Sequence, residues 1–374
     1  MPQSASLHDT MFRFADDLGP IKIVHVHDPA TGLKAVVAID NVACGPAIGG
    51  VRMAVDVSAE EAFRLARAMT FKNAAAGLPH GGGKSVIFAD PKMPTPEKER
   101  LVRSFARAIR DLVEYIPGPD MGTDERSMAW VKDEIGRASG LPPEIGGIPL
   151  DEIGATGFGL AVSVEVAARQ IGLPLSGARV AVQGYGSVGR HAARFLAAKG
   201  TILVAAADSA STVYDPKGLN LDKLDAVKAK NQGLDRYPGG EKRDRDAVID
   251  VECDIWIPAA RPDVIRAENV ERLKARLIAQ GANIPITPEA EKRLHEKGVL
   301  SIPDFIANAG GVICAATEFH GGTKSTAFAA IDEKIRANTE AVLAEAKAER
   351  LQPRAAAVQL AERRVRAAME LRRR

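Results

Sequence analysis

The sequence predicts an α/β protein of two domains, and three observations carry that prediction. From about residue 156 onward, short continuous apolar runs alternate with helical patterns, which is how a parallel sheet covered on both faces reads. Ahead of that region, paired strand patterns flank turn residues and are followed by helices, the mark of a mixed sheet. The two regimes meet at LPPEIGGIPLDEIG (141–154), whose Pro and Gly content reads as an inter-domain hinge, and 374 residues suffice for two domains.

Taken in order, IKIVHVH (21–27) and LKAVVAID (33–40) read as strands around DPATG, a hairpin signal. Ser58-Ala-Glu-Glu61 is a capping box that opens a helix running to about Gly77. KSVIFAD (84–90) reads as a strand. Thr95 and Pro96 open a helix expected to reach Tyr115, IPGPDMGTD (116–124) reads as loop, and a further helix runs to about Gly140. After the hinge come helix 156–171, strand 178–184, helix 187–199 and strand 201–208. Strands follow at 254–258, 276–280 and 299–303, and NQGLDRYPGGEKRDRD (231–246) reads as an exposed loop. Long helical patterns over about 324–348 and 353–371 follow.

Composition excludes several classes. Charge is nearly balanced at +2, so nucleic acid is not expected as a partner, and the basic run ending at Arg374 reads as a solvated helix face and tail. No apolar run approaches the ~20 residues of a membrane span, and MPQSASLHDTMFRFADD lacks the apolar core of a signal peptide. No membrane partner is expected. Cys44, Cys253 and Cys314 are sparse and form no CxxC, which points to a reducing cytoplasm and away from disulfides or zinc. His25 and His27 alternate on a strand without a supporting ligand cluster, so no metal is expected.

Gly184-Tyr-Gly186-Ser187-Val188-Gly189 matches GxGxxG, ends a strand and opens a helix. That is the context a Rossmann dinucleotide site needs. The first glycine permits the turn, the second admits a pyrophosphate, the third packs helix on strand, and the helix N-terminus presents free N–H groups. Asp208 ends the next strand, where an acid can accept from the adenosine ribose and repel a 2′-phosphate. The next basic residue is Lys217, which favours NAD over NADP.

GLPHGGGKSVIFAD (77–90) resembles a phosphate loop but is not one. A Walker A motif would need glycine at 78, which is Leu78, and this segment leads from helix into strand, the reverse of a P-loop. The preceding helix places Ala62, Leu65, Met69, Lys72 and Ala76 on one face, so Lys72 lies on an otherwise apolar stripe and Lys84 just past a side-chain-free loop. Two cations beside one apolar cleft each disfavour the other's charge, and burial adds to that, so such a lysine can serve as a base. Asp120, in PGPDMGTD, is the candidate proton partner, with Asp124 as its rival. Snorkelling for Lys72, and loop capping for the two acids, are the competing structural readings.

These segments together resemble the glutamate/leucine/phenylalanine/valine dehydrogenase superfamily over nearly the whole chain. The resemblance rests on GPAIGGVRM (45–53), MTFKNAAAGLPHGGGKSVI (69–87), PGPDMGT (117–123), GATGFG (154–159), VQGYGSVG (182–189) and PDFIANAGGV (303–312). It implies reversible oxidative deamination of an L-amino acid to a 2-oxo acid and ammonia with a nicotinamide cofactor. It also implies a substrate and oligomerisation domain at 1–150, a Rossmann domain at 151–340 with the active site in the cleft between them, and a helical segment at 341–374 returning to the first domain. Carried over by position, Lys84 is the catalytic lysine and Asp120 its acid/base partner. Lys72 binds the α-carboxylate, Asn308 helps hold the amino-acid end of the substrate, and Gly49 is a further substrate-binding position. Thr156 contacts the nicotinamide amide, and Ala259 joins the glycine motif and Asp208 at the cofactor. The resemblance further implies a homo-oligomer.

Glutamate-specific members place a lysine at the position of Ile48 and a serine at that of Ala315. Both replacements remove polar groups, and a buried carboxylate without partners is costly. An apolar substrate, branched-chain or aromatic, is therefore expected. Glutamate or another polar amino acid is the alternative, with His80 or another residue supplying a polar contact, and a non-catalytic dinucleotide-binding regulator is a second.

Overall fold

The computed structural model describes residues 12–372. The first eleven residues, which carry most of the stretch read as lacking a signal peptide, and Arg373 and Arg374 of the basic tail lie outside the described residues. The chain forms two compact units. One holds the described residues of Met1–Pro149, Ala315–Thr323 and Ala361–Arg374, the other Leu150–Cys314 and Lys324–Leu360.

The first unit is built on a five-stranded mixed sheet. Its strands are β1 (Lys22–Asp28), β2 (Leu33–Asn41), β3 (Ala47–Ala54), β4 (Gly81–Phe88) and β5 (Tyr115–Pro119), in the order β1-β2-β4-β3-β5. β1 and β2 form the expected antiparallel hairpin, and the Asp28 carboxylate organises its turn by accepting from the Ala30 N–H and the Thr31 hydroxyl. β3 is parallel to both β4 and β5. Helices α1 (Ala59–Ala75), α2 (Thr95–Ala108) and α3 (Glu125–Ile135) complete the layers. Leu33, Val51, Met53, Ile87, Phe105 and Met128 are fully or almost fully buried in the core on one side of this sheet. Burying a side chain of that size contributes roughly 1.5–3 kcal/mol.

Three sequence expectations change here. The glycines 81–83 are strand, not loop. A Cβ on Gly81 would stand 1.7 Å from the Asn41 carbonyl oxygen, one on Gly82 2.1 Å from the Thr70 nitrogen, and one on Gly83 2.8 Å from the Tyr115 ring. Absent side chains let the helix and the neighbouring strands close on β4. Second, GPAIGGVRM forms β3 and the expected loop begins as β5, while α2 stops at Ala108. Gly49-Gly50 and Pro117-Gly118-Pro119 hide both strands from pattern reading, and β5 tolerates its prolines because it is a sheet edge. Third, the buried stripe of α1 runs through Ala62, Ala66, Thr70 and Asn73, so Leu65, Met69 and Lys72 are half-buried beside it. Ser58 caps this helix as expected, accepting from the Glu61 N–H at 3.0 Å.

The second unit carries a seven-stranded sheet in the order β12-β11-β10-β6-β7-β8-β9. Its parallel part comprises β6 (Arg179–Gln183), β7 (Ile202–Ala207), β10 (Ile255–Pro258), β11 (Leu277–Ala279) and β12 (Leu300–Ile302). β8 (Thr212–Tyr214) and β9 (Glu241–Arg243) extend it antiparallel, so the stretch expected to be loop contributes an edge strand. Glu241, Lys242 and Arg243 make that edge polar, which is why it read as loop. Chain order reverses at β6, which has β7 on one side and β10 on the other, and ligands of such sheets bind at the strand ends beside this switch point.

Helices α4 (Ala155–Gln170), α5 (Ser187–Ala197), α6 (Leu221–Ala229), α7 (Pro288–Glu296) and α8 (Asp304–Ala307) accompany the sheet. α9 (Gly310–Phe319), α10 (Lys324–Glu349) and α11 (Pro353–Glu370) follow. The last turns of α11 belong to the first unit, where the Arg364 guanidinium donates to the Ala74 and Ala75 carbonyls at 3.1 and 2.7 Å and so satisfies the C-terminal end of α1. Among the described residues no helix is long and apolar enough to cross a membrane.

Candidate active site

In the first unit, Lys84 sits in the middle of β4, its side chain only 6% exposed, and its ammonium nitrogen donates to Oδ2 of Asp120. The strand register fixes Lys84 opposite Ala38 of β2. Asp120 follows β5 directly, in a turn where its own N–H donates to the Thr123 hydroxyl at 3.0 Å, and that hydroxyl donates to the Val51 carbonyl at 2.7 Å. Asp124, the rival acid, is spent locally: it caps α3 by accepting from the Ser127 N–H at 2.8 Å.

The electrostatics are those of a strained proton. Burial pushes the Lys84 ammonium below its ordinary value, the Asp120 carboxylate pulls it back up, and Arg52 adds a further downward push; the net direction is down. Burial pushes the Asp120 carboxyl up, but Lys84 and Arg52 together hold it below the usual carboxylate range. Beside Lys72, the cation expected to crowd Lys84, the sequence reading named no other; the structure sets Arg52 against the pair. Its Nε donates to Asp120 Oδ1 at 3.1 Å and its NH1 donates to Glu61 of α1. Arg52 lies on β3, the strand hidden by Gly49-Gly50, and no sequence signal marked it.

Ile48 is 4% exposed and lies in β3 between Gly82 and Ile116. Its neighbour Gly49 accepts from the Tyr115 hydroxyl at 3.0 Å. Ala315 is half-buried on α9. His80 is buried and committed within the fold: Nδ1 is 3.0 Å from the Pro46 carbonyl oxygen and Nε2 3.0 Å from His320 Nε2. The carbonyl requires Nδ1–H, so His80 Nε2 accepts and His320 Nε2–H donates. His80 therefore has no ring nitrogen left for a substrate carboxylate. On the same helix as Ala315, the buried Glu318 accepts backbone N–H groups from Gly140, Leu141 and Ile148 at 2.8, 3.0 and 2.7 Å and fastens the Pro/Gly stretch.

In the second unit, the glycine motif fits a dinucleotide. Gly184 has φ +97°, and a Cβ there would meet the Ala260 nitrogen at 2.7 Å; one on Gly189 would meet the Gly184 carbonyl oxygen at 2.1 Å. A Cβ on Gly186 would meet nothing within 4 Å, so the space before the first turn of α5 is open. Ser187 and Val188 open that helix, and Ser187 Oγ donates to the Asp151 carbonyl at 3.1 Å. Ala259 caps the end of β10, its N–H donating to Gln183 at 2.7 Å. Gly281 and Asn283, after β11, complete this rim. Asn308 Nδ2 donates to the Gly281 carbonyl at 3.2 Å and to Asn283 Oδ1 at 3.0 Å, and Thr156 Oγ1 lies 3.0 Å from where a Gly311 Cβ would stand. Asn283 was not singled out from the sequence.

Asp208 is placed at the end of β7 as expected, but its carboxylate is saturated. Oδ2 accepts from Lys228 Nζ at 2.8 Å and the Leu234 N–H at 3.0 Å, and Oδ1 from the N–H groups of Ala210 and Ser211 at 2.9 and 3.2 Å. The neutralising cation comes from α6, not from Lys217.

Comparisons with known proteins agree with this architecture. The family model Glutamate/Leucine/Phenylalanine/Valine dehydrogenase matches residues 146–373, and that of the Glu/Leu/Phe/Val dehydrogenase dimerisation domain matches residues 20–137. A glutamate dehydrogenase from Aeropyrum pernix is 41% identical, over 89% of this chain and 85% of that protein. An NADP(+)-dependent glutamate dehydrogenase from Pyrobaculum calidifontis is 38% identical, over 75% and 70%. The hetero-hexameric glutamate dehydrogenase of Thermus thermophilus, in its Leu-bound form, superposes with a TM-score of 0.83 at 28% identity, covering 99% of this chain and 98% of that one.

Proposed function

Because this chain belongs to the glutamate/leucine/phenylalanine/valine dehydrogenase family and is an amino-acid dehydrogenase, we propose that it deaminates L-glutamate oxidatively and reversibly to the 2-oxo acid and ammonia. The buried Lys84–Asp120 pair carries the reading: the fold holds a lysine where its charge is disfavoured, beside a carboxylate able to take and return a proton. The glutamate dehydrogenases at 41% and 38% identity support this substrate over the apolar one expected from the sequence.

A nicotinamide nucleotide, held by the glycine turn, would supply the hydride acceptor for the substrate Cα–H. Lys84, as the free amine, takes a proton from the water that adds to the substrate's iminium carbon. Asp120 passes that proton onward and supplies one to the departing ammonia. Lys72 pairs with the α-carboxylate, and Asn308 steadies the amino-acid end. The Gly184–Gly189 turn and the N–H groups of α5 would hold the pyrophosphate. Because Lys228 cancels the charge of Asp208, repulsion of a 2′-phosphate is weak, and both NAD and NADP serve as acceptors. The protein works as an oligomer, in line with the matched dimerisation domain and the hexameric relative.

One observation favours a second reading. Ile48, buried in β3, offers no charge to a side-chain carboxylate, which suits a branched-chain or aromatic substrate. Purified protein assayed with each of the twenty L-amino acids, with NAD and with NADP, decides between them by absorbance of the reduced nucleotide. Glutamate turnover that Lys84→Ala abolishes is the expected result. Turnover confined to leucine, valine or phenylalanine establishes the second reading, and no turnover with any amino acid overturns both.

A further inference from the structure

Four charged side chains of alternating sign run through the first unit: Lys84 on β4, Asp120 after β5, Arg52 on β3 and Glu61 in the first turn of α1. We propose that Arg52 is the positioning residue of this site: anchored by Glu61, its guanidinium holds Oδ1 of Asp120, turns Oδ2 toward Lys84, and shares the carboxylate's charge so that Lys84 is not locked as an ammonium. The proposal rests on Lys84 and Asp120 being the proton-transfer pair of the proposed reaction.

Geometry carries the argument. Asp120 has two oxygens and two cationic partners, one on each. With Lys84 alone, a buried carboxylate would form a closed ion pair with it, and the lysine would keep its proton. Arg52 stays charged at any working pH, so it remains a permanent competitor for that carboxylate. Glu61 holds the competitor in place from the helix side, and the Asp120 turn is held independently by Thr123. Arg52 holds Oδ1 of Asp120, while Oδ2 is the oxygen that meets Lys84, so Arg52 acts through that carboxylate.

The remaining ionisable groups on the surrounding elements have other partners or positions. Asp40 of β2 accepts from Arg67 Nε at 2.8 Å and from the Thr70 hydroxyl at 2.6 Å. Tyr115 of β5 is buried, shares a hydrogen bond with Ser85 and donates one to Gly49. Asp124 caps α3, and Lys72 lies three turns beyond Glu61 on α1. The balance at Lys84 is thus set by burial, one carboxylate drawing the proton in, Arg52 repelling it and Glu61 opposing Arg52.

The test reads the protonation of Lys84 directly, by trace acetylation with acetic anhydride from pH 6 to 11 and mass spectrometry of the Lys84 peptide in the full-length protein. Arg52→Gln should move the midpoint of Lys84 reactivity upward by about one pH unit, leaving about tenfold less free amine near neutrality. The rising limb of kcat/KM should move with it, and Arg52→Lys should restore both. A purely structural role would lower kcat at every pH and leave the labelling midpoint unmoved. If Arg52→Gln does not fold, Arg52→Met serves: it keeps the apolar stem without the charge, and the same upward move of the midpoint is expected. Labelling profiles that overlay wild type overturn the proposal, even in an active enzyme. Shifted profiles in a protein that turns over no amino acid sustain the electrostatic arrangement and overturn the proposed function instead.

Discussion

Gly49 stands so close to Gly83 that a Cβ on the first would lie 1.6 Å from the carbonyl oxygen of the second. β3 and β4 therefore meet through bare backbone directly beside Lys84. Gly49→Ala must push the strands apart, and an expected loss of about 3 kcal/mol in urea unfolding accompanies loss of turnover. Gly186→Ala is the contrast. Its Cβ meets nothing in the protein, so stability should hold while nucleotide affinity, measured by calorimetry, falls at least tenfold.

The pH profile of the Lys84–Asp120 pair has a defined sign. Lys84 must be neutral to act, and its carboxylate neighbour is the strongest influence keeping it charged. Deamination should rise with pH through a midpoint below that of an ordinary lysine. Asp120→Asn removes the anion, so this limb should move to lower pH while the plateau falls about a hundredfold with loss of the proton partner. An upward move of the limb would contradict the assigned electrostatics.

Nucleotide choice should respond to Lys228. Lys228→Ala leaves Asp208 held by three backbone N–H groups but without its cation, so its negative charge again faces any 2′-phosphate. The ratio of kcat/KM for NADP to that for NAD should fall about tenfold. An unchanged ratio would place the 2′-phosphate away from Asp208.

Glu318 offers a stability test free of the chemistry. Its two oxygens accept three backbone N–H groups in a buried place. Glu318→Gln replaces one acceptor by a donor facing donors, and a cost of about 2 kcal/mol is expected in denaturant titration. A cost near zero would mean that water takes over the orphaned N–H groups.

The Rossmann half was the more readable in sequence. Its strands are continuous apolar runs, its turn is spelled out at Gly184, Gly186 and Gly189, and the positions agree within a residue or two. The first unit was less so because its central strands are written in glycine and proline. Gly81–Gly83 read as loop although each glycine is needed for contact across β4, and Gly49-Gly50 concealed β3. With β3 hidden, Arg52 could not be placed beside Asp120. Lys84 and Asp120 were legible as residue types in a motif, but their pairing depends on strands far apart in sequence. Lys228 was missed for the same reason: it lies 20 residues after Asp208, and only the return of α6 over the sheet brings it back.

Arg364 seals the C-terminal carbonyls of α1 from a distance of 290 residues along the chain. During synthesis that helix leaves the ribosome early and waits, its last turn open, while the whole second unit is made and emerges. The first unit can reach its finished form only after residue 364 has emerged, so a nascent chain stalled after Leu360 should expose the α1 terminus to proteases that the full chain resists.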